Sequence, residues 1–438
     1  MTATPTSRRR PRVTGPGVLP VDPFDGYFAD DRHRRPAPGS IADRPAGRHW
    51  FEVVGWGRQA GLYTYQQPLD GRTAPRVTIE GRPLLMLAAY DYLGLVGHPA
   101  IEEAAMAAIR RYGTATGGVR MLTGTVELHR ELERELAEFK GVASALSFTS
   151  GYVANLAAVS ALVGPGDRVL LDERAHRSLR DACVLSGAAM RTFRHNDSAS
   201  LERALRQGPA GRRTLIAVDG LYSMDGDVCR LAEFVELKRR AGALLLVDDA
   251  HALGVLGARG RGVHEHAGLA PDAVDVWTGS LSKAIPANGG FVAGGRDLVI
   301  YLQHAAAPFW FSAALCPPAA AAALEALRVV RREPERLVRL RQVAARLRDG
   351  LRGLGYDTGG AESAIIPVIV GDNRAAWRLA RRLLDRGVVA SAVVPPAVPR
   401  GTARLRLCAT AALSSVDLAT ALDAFAAVRN DGPGPADA

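Results

Sequence analysis

Lysine is almost absent from this chain: Lys140, Lys238 and Lys283 stand against 52 arginines. A primary amine is the side chain that condenses with a carbonyl, so a lysine kept in an arginine-dominated chain is a candidate for covalent catalysis. None of the three lies between a glycine and a hydroxyl residue, which excludes a Walker phosphate loop. Lys283 closes the run Gly279-Ser280-Leu281-Ser282-Lys283, with Gly289-Gly290 beyond it. Upstream, the apolar run Leu244-Leu245-Leu246-Val247 ends in Asp248-Asp249-Ala250-His251, and an acid at the end of a buried run needs a cation or hydrogen-bond donors. Two further apolar runs end in Asp172-Glu173-Arg174-Ala175-His176 and Asp219-Gly220-Leu221-Tyr222-Ser223. Another leads to Ser150-Gly151-Tyr152 at the start of an apolar helical stretch, where backbone N–H groups and the helix dipole favour an anion.

An amine among hydroxyls, an acid at the end of a buried run and a phosphate-friendly turn together match the needs of pyridoxal phosphate. The amine forms an imine with it, the acid keeps the pyridine nitrogen protonated, and hydroxyls with backbone N–H groups hold the phosphate. Such groups must be carried to one rim. Residues 144–149, 169–171, 214–218, 243–247, 274–277 and 290–293 read as strands, with helical patterns such as 126–138 and 231–241 between them. That alternation predicts an α/β domain with a mostly parallel sheet, whose ligands gather at the carboxyl ends of the strands. Residues 50–62 read as a helix and 76–88 as a hairpin turning at Glu80-Gly81. After Arg332-Glu333-Pro334 the pattern is helix 335–354, strand 364–370, helix 374–386, strand 388–394, strand 403–407 and helix 415–428, a smaller α+β domain. The expected division is a basic, disordered tail over 1–48, a helix and hairpin over 49–88, a large domain over 89–330, a small domain over 331–428 and a frayed end over 429–438.

With 438 residues, 47% hydrophobic and 23% charged, the chain has enough apolar content for sizeable cores. Its net charge of +10 suits anionic partners without requiring nucleic acid, and residues 1–48 alone carry nine arginines against five aspartates. Cys183, Cys229, Cys316 and Cys408 are unpaired in spacing, so a zinc ribbon or disulfide scaffold is not expected and a reducing, cytoplasmic setting is. His264-Glu265-His266 lacks a third ligand in sequence reach, so no metal site is expected. The best candidate span, 305–324, is uncharged but half alanine and holds Pro308, Pro317 and Pro318, which argues against a membrane span.

From about residue 61 to 427 the chain resembles the α-oxoamine synthase family of fold-type I pyridoxal-phosphate enzymes. The resemblance rests on Tyr92-Leu93-Gly94-Leu95, Gly124-Thr125 with Leu128-His129, Ser150-Gly151-Tyr152, Asp248-Asp249-Ala250-His251 with Gly260-Arg261-Gly262, and Ser282-Lys283-Ala284, in the family's order and spacing. It implies that Lys283 binds the cofactor, Asp248 partners the pyridinium, His251 bonds the phenolic oxygen with Ser223 nearby, and His176 stacks on the ring. It further implies that Ser150, Gly151 and Tyr152 form the phosphate turn, that Ser280 and Ser282 flank the lysine, and that Arg406 with Tyr90 receives the amino-acid carboxylate. Tyr90 stands where several members have asparagine, Ser280 and Ala313 where threonine is common, and Pro286 where glycine is usual. Ala313 puts a cross-subunit phosphate contact in doubt. The implied activity is decarboxylative condensation of an amino acid with an acyl thioester, on CoA or on a carrier protein, by a homodimer. Aldol cleavage or aminotransfer on the same cofactor stays open at the level of these residues.

Overall fold

A computed structural model describes residues 39, 41–207 and 213–430. Most of the basic stretch 1–48 and the end 431–438 lie outside the described residues. The chain divides into two compact units at Gln66/Gln67. In the first, a short 3-10 turn over Ile41–Asp43 precedes the helix Pro45–Gln59. Proline in its first turn starts this helix ahead of the expected residue 50, because a missing N–H costs nothing there.

The second unit contains thirteen strands among the described residues: β1 (Arg76–Ile79), β2 (Arg82–Met86), β3 (Ser144–Phe148), β4 (Arg168–Asp172), β5 (Ala189–Phe193), β6 (Thr214–Asp219), β7 (Leu244–Asp248), β8 (Val276–Ser282), β9 (Pro286–Gly294), β10 (Ile365–Gly371), β11 (Val388–Val389), β12 (Ser391–Val393) and β13 (Ala403–Cys408). Seven of them form the central sheet in the order β3-β9-β8-β7-β6-β4-β5, and only β9 runs against the others. The inner strands are apolar on both faces, as a helix-covered parallel sheet requires; Leu215 to Val218 are wholly buried. Chain order runs outward from β4 to β5 and then back across β6, β7 and β8, so the direction reverses between β4 and β6. The carboxyl ends of β4, β6 and β7 carry Asp172, Asp219 and Asp248, three acids on one rim.

Strand β8 runs beyond the expected residue 277 to Ser282, because β9 pairs back along it, Ser280 opposite Gly290 and Ser282 opposite Pro286. The two serines are therefore strand residues. The apolar run 388–394 is two strands rather than one. Val388–Val389 pairs with β2 and completes the β1-β2 hairpin sheet, whereas Ser391–Val393 pairs with β13 in the β10-β13-β12 sheet. The same apolar run serves two sheets, with buried Ala390 at the crossover. Strand β5 went unpredicted because, at the sheet edge, it is exposed at most positions and lacks an apolar run.

Candidate active site

Asp248 ends β7 almost fully buried. Its carboxylate accepts from Asn155 Nδ2 at 2.6 Å and from the Ala250 N–H at 3.0 Å. Asn155 is the lone amide in the apolar helix Gly151–Leu162, and its Nδ2 also donates to Ser178 Oγ at 2.8 Å. In register with Asp248 on the neighbouring strand is Asp219, whose buried carboxyl accepts from the His176 N–H at 3.1 and 3.2 Å. Burial, then the charge of Asp248, pushes the Asp219 pKa well above the usual carboxylate range. His176 caps the helix Arg177–Ser186, with Nδ1 at 2.7 Å from Ser178 Oγ, and lies exposed on the rim.

His251 is buried three residues beyond Asp248, with Nδ1 at 2.8 Å from the hydroxyl of fully buried Tyr92. Desolvation, helped by Lys283, Arg406 and His176, holds its pKa well below the ordinary histidine value, so the imidazole is neutral at neutral pH. The Tyr90 ring meets it edge-on, with centroids 6.1 Å apart.

The three lysines have different fates. Lys140 is fully buried, paired with Asp249 and 3.6 Å above the Trp277 ring centroid, while Lys238 pairs with Asp275 at 2.7 Å. Lys283 has no acid paired to it among the described residues. Burial lowers its pKa, and the charges of Asp248 and Asp219 oppose that shift. Beside it Ser280 Oγ lies 2.7 Å from Ser282 Oγ.

The phosphate-friendly turn is built by close packing. Ser150 caps the helix Gly151–Leu162 by accepting from the Val153 N–H at 3.2 Å. A Cβ on Gly151 would come within 2.9 Å of Ser280 Cβ, so only glycine lets the helix N-terminus sit against β8 here. The Tyr152 hydroxyl bonds Asp181 at the surface, and its ring lies edge-on to His176 at 6.4 Å. Ser223 is half-buried in the loop after β6.

Arg406 reaches the rim from β13. It is 6% exposed, its Nε and Nη2 have no hydrogen-bond partner among the described residues, and its Cζ lies 4.7 Å from the centroid of the Tyr90 ring. A buried guanidinium with two open donor atoms suits a carboxylate.

Residues 82–425 match the model for class I and II aminotransferases. The 8-amino-7-oxononanoate synthase of Symbiobacterium thermophilum is 44% identical over 372 residues, covering 85% of this chain and 95% of that protein. That of Geobacter sulfurreducens is 43% identical over 373 residues, with 85% and 95% covered. Among solved structures, the serine palmitoyltransferase of Sphingomonas wittichii has a TM-score of 0.83 at 35% identity, covering 87% of this chain and 98% of that one. The chain belongs to the α-oxoamine synthase family of fold-type I pyridoxal-phosphate enzymes.

As a member of this family the protein takes pyridoxal phosphate, and its rim fits that group. Lys283 is the uncommitted amine, Asp248 is a buried acid on an adjacent strand, Gly151 leaves the helix N-terminus clear, and Arg406 has open donors. Sequence reasoning did not single out Asp219 or Asn155. Asp219 carried the same signal as Asp248, an acid ending a wholly apolar run, and Asn155 was a lone amide in an apolar helix. Among the described residues, no helix is long and apolar enough to cross a membrane. His195, Asp225 and Asp227 bring potential metal-ligating atoms together. Asp225 accepts from Arg174 and Arg404, and Asp227 from Asn196 and His195.

Proposed function

We propose that this chain condenses a small α-amino acid with an acyl thioester, releasing carbon dioxide and the free thiol and giving an α-amino ketone. The observation that carries this reading is Arg406, a buried guanidinium with two idle donor atoms whose charge reaches both Lys283 and His251. An amino-acid carboxylate supplies the missing anion and sets the α-carbon near the amine. When bound, pyridoxal phosphate supplies an electron sink for negative charge at that carbon. Lys283 would hold the cofactor and, freed when the amino acid's own amine takes its place, would take up the α-proton, a role its lowered pKa suits. Asp248, fixed by Asn155, would partner the ring nitrogen; neutral His251, fixed by Tyr92, and Ser223 would serve the phenolic oxygen; His176 would stack on the ring. Ser150, Gly151 and Tyr152, with Ser280 and Ser282, would hold the phosphate, and Tyr90 would share the carboxylate site with Arg406.

The two-domain division at residues 89–330 and 331–428, a cytoplasmic location and a homodimer belong to the same reading. Phe311 is 85% exposed and Leu122 is 74% exposed, on segments joined by the Val119–Ala313 bridge, which supports an apolar subunit contact there. An active monomer in sedimentation would contradict the dimer. The function is tested by product analysis with an amino-acid panel, with and without an acyl-CoA or the same acyl chain on a carrier protein. A ketone formed only with thioester is expected; an aldehyde or a keto acid formed without it would establish aldol cleavage or aminotransfer instead.

A further inference from the structure

Asp225 joins three segments of the chain. Its Oδ1 accepts from Arg174 Nη1 at 2.8 Å and from Arg404 Nη1 at 2.8 Å. Each member of this trio lies two residues from a proposed site residue: Arg174 from His176, Asp225 from Ser223, and Arg404 from Arg406. The spacing matters most on β13, where residues two apart point to the same face, so Arg404 and Arg406 both aim from the C-terminal sheet toward the rim. Arg404 is held firmly: its side chain is 3% exposed, Nε donates to the Thr402 carbonyl at 3.0 Å, and Nη1 also donates to the Met224 carbonyl at 3.0 Å. The next loop residue, Gly226, is packed against the same sheet. Its φ is +71°, a Cβ there would fall 2.2 Å from the Ile365 carbonyl oxygen, and its own carbonyl accepts from Ser363 Oγ at 2.9 Å.

We propose that Asp225 is a positioning residue that clamps β13 to the rim loops and so sets where Arg406 receives the amino-acid carboxylate. This rests on the function proposed above. Burial alone would raise the Asp225 pKa, but Arg404, Arg174 and His195 outweigh it and hold the carboxyl below the usual range, so the clamp stays charged through neutral pH. Two guanidiniums on one carboxylate oxygen tie Arg404 of β13 to Arg174 of the loop after β4, so a shift of β13 would strain both ion pairs.

The holoenzyme tests this by equilibrium titration with the amino acid, followed through the cofactor's absorbance, and by steady-state kinetics. Asp225→Asn is expected to load cofactor normally, to weaken amino-acid affinity and raise its KM by roughly 10-fold, and to leave kcat within about twofold. Arg404→Gln should do the same without adding to the effect of Asp225→Asn, and Arg404→Lys should recover part of it. Arg174→Gln, at a side chain 37% exposed, provides a variant that keeps the fold if Asp225→Asn does not, and should raise KM in the same direction. Unchanged amino-acid affinity in these variants, or a loss confined to kcat or cofactor loading, overturns the clamp while leaving the function standing. A parent enzyme whose absorbance ignores every amino acid overturns the function and the clamp with it.

Discussion

At the scale of single residues, the site depends on which charges are already engaged. Among the described residues Lys140 and Lys238 have carboxylate partners and Lys283 does not, so of the three scarce amines in the sequence it is the available one. Lys283→Ala should lose both covalent cofactor attachment, read as the absence of a borohydride-reducible absorbance band, and turnover; normal catalysis would remove the assignment. Asp248→Asn keeps the side-chain volume and one amide oxygen to accept from either Asn155 Nδ2 or the Ala250 N–H, so it should still fold at some cost in stability, yet lose turnover by roughly 10²–10⁴-fold, because an amide cannot hold a pyridinium proton. Near-parental activity in that variant would move the role elsewhere, and Asp219 is the neighbouring acid to examine. Most candidate residues were legible as the tail ends of apolar runs. The partners that fix them, Asn155 on Asp248 and the His176 N–H on Asp219, come from distant segments and carry no local signal of contact.

At the scale of elements, parallel strands were legible wherever an apolar run was buried on both faces, as at β6 and β7. They were not legible where pairing came from a neighbour: Ser280 and Ser282 are in a strand because β9 lies alongside, and 388–394 is divided by two competing sheets. The turn after β5 shows a charge arrangement with a pH consequence. His195 bridges Asp172 and Asp227 at 3.0 Å each, and although burial opposes protonation, the two carboxylates raise its pKa to about 9 from 6.5. The folded state therefore binds this proton more tightly than the unfolded state. Its stabilisation is complete below about pH 6.5 and is lost as pH rises through about 9. His195→Gln should be less stable than the parent at pH 6, with the gap closing by pH 9 to 10 in denaturant titrations; a gap constant across that range would mean the imidazole is neutral when folded.

For the whole molecule, an α/β frame brings a lysine from just after β8, acids from β6 and β7 and an arginine from a separate C-terminal sheet to one rim. The alternation of strands and helices foretold the frame, but the approach of Arg406 depends on how two sheets pack, which no periodicity encodes. What the arrangement does as a unit is join two substrates while one of them loses its carboxylate, the group that we propose Arg406 receives. The most direct measurement supplies an amino acid labelled at the carboxyl carbon, with and without an acyl thioester, and follows labelled carbon dioxide against α-amino ketone. The account predicts release only when the thioester is present, one carbon dioxide for each ketone formed and none from Lys283→Ala. Ketone that retains the label, or carbon dioxide released at the same rate without thioester, would contradict it.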